Sequence, residues 1–445
     1  MLMVWSGARR VGVLLAGAAL TAVMLGAFVQ GASAARVHIS GGSPVSVHRL
    51  GGDVYEYYYV VSTGSGPYDR VGVHRVVAVG RGRPIAARDG VFFVHGDSWS
   101  FDTSFRLGNT ASRSMAVFLA SKGIDVWGVD LGYTLVPAGT TDFSFMRGWG
   151  LQRDVNDVEK ALTFARSVRS RTGSSHSKLT LLAYSRGGWI GYALLNQEAH
   201  KPLAQRQVRA FIPVETLIET NDSSIVTRAC LFASYGNTQI ATGVYDYSDQ
   251  AAIDLGRLAL TAPDQPPPVN ILLETGTLGA KTNQQAADTL GAAPFLASTL
   301  LVPYFHSVAG VFPDGDFHQL PTGLVYTDAP VFDDALATMS PFEPVALVRD
   351  TSAITCSPGQ ASSFDNHLKD VTVPVLYVGA GGGFGRAGLY SLKLLGSRNV
   401  RTHIVSFYPA NQAAQDFGHG DLFTSRRARQ LVWTPIYHWL ARHAK

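Results

Sequence analysis

The chain alternates short apolar runs with amphipathic stretches, and this rhythm constrains its fold more than any other feature. VYEYYYVV (54–61) and VGVHRVVAV (71–79) have strand composition, with the turn-rich STGSGPYD between them. GVFFV leads into His95 and Gly96, MAVFLASKG (115–123) has helical spacing closed by glycine, and IDVWGVDLG (124–132) is continuously apolar again. Over 151–170, Val155, Val158, Leu162 and Ala165 fall on one helical stripe with charges opposite. LTLLAYS (179–185), VRAFIPVE (208–215), VPVLYVGA (373–380) and RTHIVSFYP (401–409) add strands. Helices are expected over GGWIGYALLNQ, RAGLYSLKLLG and SRRARQLVWTPIYHWLARH. Strands that are apolar on both faces and separated by helices predict an α/β fold with a mostly parallel, doubly wound sheet.

The rhythm stops between 216 and 365, where Pro, Gly and Asp are frequent and APDQPPPVN breaks the pattern. About 150 residues are too many for a structureless loop, so a cap insertion emerging after the sixth core strand is expected. The core would then comprise 35–215 and 366–445. Within the insertion, LGAAPFLASTLLVPYFHSVAG (290–310) is the most apolar stretch and reads as cap core more readily than as an acyl pocket.

Residues 1–34 read as an export signal. Arg9 and Arg10 precede an uncharged apolar run to Val29, and Ala32-Ser33-Ala34 supplies the small residues of a cleavage site. An uncleaved membrane anchor is the alternative, because the run approaches spanning length. The expected location is outside the cytoplasm: secreted, periplasmic or on the cell envelope. Cys230 and Cys356 would then be expected to pair, closing a loop worth ~4 kcal/mol by chain entropy. The formal charge of +4 comes from 37 basic and 33 acidic residues, and losing two arginines with the signal leaves 35 against 33. That balance, with no basic cluster interleaved with aromatics, argues against nucleic acid as a partner.

Chemistry concentrates at strand ends. In KLTLLAYSRGGWIGYALL (178–195) an apolar strand turns directly into a helix at Ser185, with small Ala183 and Gly187 two residues to either side. A serine there presents its hydroxyl at a helix N-terminus, where amides and the helix dipole stabilise negative charge; the competing reading is a simple helix cap. This A-Y-S-R-G turn resembles the G-x-S-x-G nucleophile elbow of the α/β-hydrolase superfamily, with alanine for the first glycine. Two further segments extend the resemblance: Phe92-Phe93-Val94-His95-Gly96-Asp97, and Phe417-Gly418-His419-Gly420-Asp421 after the last strand.

The resemblance implies Ser185 as nucleophile, His419 as general base, and the backbone amides of Asp97 and Arg186 as an oxyanion hole. It places the acid most often after the strand at 373–380, but there the sequence reads GAGGGFGRAG without a carboxylate. Glu215, ending the preceding strand, is the acid chosen, with a missing or unusual acid as the alternative. Asp421 sits too near His419 in sequence to reach the far side of its ring, and a structural role is expected for it, as for the His95 side chain. Trp99, Phe101 and Tyr184 are expected to line the substrate site. PDGDFHQ (313–319) has no metal-ligand spacing and reads as a turn, so no metal or cofactor is expected.

The expected activity is a serine hydrolase of the esterase or lipase type, acting on a small-molecule or lipid-like acyl substrate through an acyl-enzyme. The alternatives are an acyltransferase using the same residues and a non-catalytic binding protein. A membrane contact is expected only if the N-terminal segment stays in place.

Overall fold

The computed structural model describes residues 43–87, 89–294 and 302–443. The expected signal segment, 1–34, lies outside them. Among the described residues no helix is long and apolar enough to cross a membrane.

The main sheet is built from β1 (Ser46–Arg49), β2 (Val54–Ser62), β3 (Arg70–Gly80), β5 (Gly90–Val94), β6 (Asp125–Asp130), β7 (Leu179–Tyr184), β8 (Val208–Val214), β11 (Val375–Ala380) and β12 (Val400–Val405), with the short β4 (Arg83–Pro84) paired to β3. Their order across the sheet is β1-β2-β3-β6-β5-β7-β8-β11-β12. From β6 to β12 all neighbours run parallel, while β1, β2 and β3 form an antiparallel edge. β5 and β7 are buried along their whole length, as expected of strands covered on both faces.

One face packs against α3 (Leu151–Arg171) and α4 (Arg186–Ala199), with Val155, Val158, Leu162 and Ala165 in its core. The other packs against α2 (Met115–Ser121) and α13 (Thr434–Arg442), joined by the one-turn α1 (Phe101–Phe105) and α12 (Asp421–Thr424). Two helices differ from expectation. The stretch 386–396 keeps only the four residues of α11 (Leu389–Leu392), the rest lying in turns and bends. The closing helix widens into a π turn at Arg429–Trp433 before Pro435, which has no amide hydrogen to offer a regular ladder.

Between β8 and β11 the irregular text contains α5 (Ser223–Ala241), α6 (Gln250–Thr261), α7 (Val269–Thr275), α8 (Asn283–Ala292), α9 (Ala329–Ala337) and α10 (Val345–Cys356). The small antiparallel pair β9 (Asp246–Ser248) and β10 (Phe342–Pro344) lies among them. A separate apolar cluster around Leu255, Ala286, Val308 and Phe332 holds part of this segment together. Cys230 on α5 and Cys356 at the end of α10 form a disulfide, with Cα atoms 4.6 Å apart.

Candidate active site

Three residues at the carboxyl rim of the sheet define the site. Ser185 follows β7 and precedes α4, with φ 54° and ψ −128°, a backbone region that L-residues rarely occupy. The close packing of the turn explains why the surrounding residues are small. A Cβ on Gly187 would lie 2.4 Å from the carbonyl oxygen of His95, and one on Gly96 would lie 2.6 Å from Ser185 Cβ. The loop after β5 is therefore pressed against the turn at Ser185. Arg186 is the first residue of α4, so its amide has no acceptor within that helix.

Glu215 directly follows β8 and also has positive φ, at 49°. Ser98, Ser185 and Glu215 are three of the five described non-glycine residues with positive φ, so unfavourable backbone is concentrated at this rim. The Glu215 carboxylate is fully buried and turns toward the neighbouring strand. Oε1 accepts the amide of Ala380 at 2.6 Å, and Oε2 accepts the amide of Phe384 at 2.8 Å. Oε2 also lies 2.8 Å from Nδ1 of His419. Since a carboxylate only accepts, Nδ1 carries the hydrogen and Nε2 is left as the basic nitrogen.

His419 is held on several sides. Its amide donates to the carbonyl of His306 at 3.0 Å, and its carbonyl accepts the Tyr184 hydroxyl at 3.3 Å. The Tyr184 ring stacks on the imidazole with centroids 4.7 Å apart, and Phe305 and Phe384 approach at 4.8 and 5.5 Å. Neither Phe305 nor Phe384 was singled out from the sequence. An isolated aromatic in the glycine run GGGFG was the available signal for Phe384.

Trp99 lies 5.7 Å from Tyr184 by ring centroids and touches the space above Gly420, so it remains at the site. Tyr184 is buried as the support under His419. Phe101 differs from expectation: α1 turns it into the core, fully buried and stacked on His74 at 4.3 Å, where it cannot meet a substrate. Asp421 accepts the amides of Gly418 and Ala309 at 2.9 Å each and the hydroxyl of Thr327 at 2.6 Å, fixing the loop that carries His419. The His95 ring accepts the Leu131 amide at Nε2 and donates to the carbonyl of Gly96 from Nδ1, and burial keeps its pKa below the usual value. Pro313–Gly315 forms a single tight turn.

Glu343 on β10 was also missed. It is buried beside Asp97, Arg186 and Asp249. Nothing local in the sequence marks it.

No protein-family model matches the sequence. No curated protein matches it either. Solved structures do. A putative lipase from Sulfolobus solfataricus, 17% identical, aligns over 88% of this chain and 96% of its own with a TM-score of 0.59. A soluble variant of monoglyceride lipase from Saccharomyces cerevisiae, in complex with a substrate analogue, is 13% identical over 87% and 97%, with a TM-score of 0.44. Brefeldin A esterase, a bacterial homologue of human hormone-sensitive lipase, is 12% identical over 88% and 78%, with a TM-score of 0.43. The first of these carries the comparison. With the strand order and the sharp turn at Ser185, it shows that the chain has the α/β-hydrolase fold.

Proposed function

We propose that the protein is a serine hydrolase of carboxylic esters or related acyl bonds, exported by its N-terminal segment and acting through an acyl-enzyme. In this reading His419 Nε2 removes the Ser185 hydroxyl proton as Oγ attacks the substrate carbonyl. The amides of Asp97 and Arg186 stabilise the resulting oxyanion. Collapse of the tetrahedral intermediate breaks the acyl–oxygen bond, and the proton passes from His419 to the leaving alkoxide. Water then attacks the acyl-serine with the same histidine as base, releasing the acid. Glu215 holds the imidazole in the required tautomer and stabilises its cation. The 216–365 segment acts as the cap, and Phe305 and Phe384, which flank the His419 ring, would give a bound acyl group an apolar contact.

The supporting observation is the 2.8 Å contact between Glu215 and His419, which joins the end of β8 to the loop after β12 on the sheet rim that also carries the strained Ser185. The description of the Sulfolobus structure as a putative lipase agrees with the reading.

A fluorophosphonate probe tests it: Ser185 Oγ would displace fluoride and form a stable phosphonyl-serine. Labelling of the folded wild type, with none of Ser185→Ala and a severe loss in His419→Ala, is expected. A folded wild type that resists the probe overturns the proposal.

A further inference from the structure

Arg186 directly follows the proposed nucleophile, yet its side chain is turned away from solvent. Its guanidinium is largely buried and faces back over the loop after β5. Nη2 donates to Asp97 Oδ2 at 2.6 Å and Nε donates to Asp97 Oδ1, a two-pronged pairing that fixes direction as well as distance. Nε also lies 3.2 Å from Glu343 Oε1, and Nη1 donates to the hydroxyl of Thr351 on α10. Glu343 and Thr351 both belong to the segment between β8 and β11.

The charges explain the arrangement. Burial works against a charged Asp97, but the Arg186 guanidinium overcomes it and holds this carboxyl below the usual range. Burial and the neighbouring Asp97 push Glu343 well above its usual value, and the two carboxyls share a hydrogen bond. The Arg186 guanidinium and the Glu343 carboxyl therefore both stand against Asp97, with Glu343 Oε1 3.2 Å from Arg186 Nε. The same loop is tied further along: the Ser340 amide donates to the Ser98 carbonyl at 2.6 Å, and Thr103 Oγ1 donates to the Thr338 carbonyl at 2.9 Å.

We propose that the Arg186–Asp97 side-chain pair, buttressed by Glu343, is a positioning clamp that sets the separation of the two backbone amides assigned to the oxyanion hole. This rests on the hydrolase reading above. The two residues that supply the amides also supply the clamp, so the ion pair ties the loop after β5 directly to the first residue of α4 across 89 positions of chain. Oxyanion donors act only if held in place before charge develops, and small displacements are costly to the rate. A clamp of this kind leaves ground-state binding nearly unchanged.

The test is steady-state hydrolysis of p-nitrophenyl butyrate together with the rate of fluorophosphonate inactivation. Arg186→Lys keeps the charge and loses the fork, and it is expected to lower kcat about 10- to 100-fold with KM within about threefold. Inactivation should slow in parallel. Wild-type kcat in a folded Arg186→Lys protein, while wild type is labelled at Ser185, overturns the clamp and leaves the hydrolase reading standing. A folded wild type that is neither labelled nor active overturns both. If Arg186→Lys does not fold, Glu343 decides. Glu343→Ala removes the hydrogen-bond partner of Asp97 and should lower kcat, whereas Glu343→Gln retains one and should recover most of that loss; equal kcat for the two variants overturns the proposal.

Discussion

Gly383 leaves open the space that Glu215 fills: a Cβ at that position would stand 1.8 Å from Glu215 Oε2. The same oxygen bonds His419 Nδ1 and the Phe384 amide. The glycine run after β11 thus has a specific cause, because it wraps closely around a carboxylate delivered from the neighbouring strand. Gly383→Ala is expected to push Glu215 off the imidazole, lowering kcat by about 100-fold or more. Steady-state kinetics beside a melting curve checks this, and full activity in the variant would contradict it.

Glu215→Gln isolates the charge and the hydrogen-bond sense. With the amide nitrogen at the Oε2 position it meets both the Phe384 N–H and the His419 Nδ1–H, donor against donor, and at the Oε1 position it meets the Ala380 N–H. The first orientation drives the imidazole toward the wrong tautomer, and neither supplies the negative charge that stabilises its cation. A loss of about 10⁴-fold in kcat is expected, comparable to the acid-to-amide change in a serine protease triad. Near-normal turnover would remove Glu215 from its assigned role.

How much was legible in the sequence depends on how far apart the interacting residues lie. The turn at Ser185 is local: strand, serine, glycine and helix all fall within 178–195. His419 was marked by its glycines and by its place between the last strand and a helix. Glu215 contacts His419 across 204 positions, and only the family resemblance pointed to it. Phe101 misled because periodicity does not say which face of a one-turn helix is buried, and here the stacking partner is His74 on β3. The pairing of Arg186 with Asp97 and Glu343 leaves no local trace, since each residue alone reads as an ordinary surface charge. RAGLYSLKLLG has helical composition, but only Leu389–Leu392 of it is helical.

The disulfide joins two helices of the same segment and does not reach the sheet. Its loop spans 126 residues, and chain entropy puts the stabilisation at about 4–5 kcal/mol. Reduction, or Cys230→Ser with Cys356→Ser, is expected to lower Tm by roughly 5–10 °C. Calorimetry with and without reductant checks this. An unchanged Tm on complete reduction would show that α5 and α10 are held by packing alone.

A buried histidine should govern stability at alkaline pH. Nδ1 of His74 lies 2.8 Å from Glu56 Oε1 and Nε2 lies 2.9 Å from Asp130 Oδ2. Glu56, His74 and Asp102 come close enough to suggest a metal site, but with both ring nitrogens facing carboxylates His74 has no lone pair to give. Burial opposes its charge, yet the Asp130 carboxylate and the hydrogen bonds from both partners outweigh that and push its pKa up from 6.5 to about 10. The folded protein therefore holds this proton more tightly than the unfolded chain does. The resulting stabilisation is complete below about pH 6.5 and is lost as pH climbs through about 10. Glu56 and Asp130, both held below their usual values chiefly against burial by His74, act oppositely: their contribution is present above the ordinary carboxylate range and is lost on acidification. His74→Gln should lower Tm at pH 6 and flatten its decline between pH 7 and 10. Because Asp130 also accepts the Phe101 amide at 2.8 Å, α1 should loosen in the variant and expose amides 101–105 to faster hydrogen exchange. A Tm profile parallel to the wild type across that alkaline range would mean that another group carries the dependence.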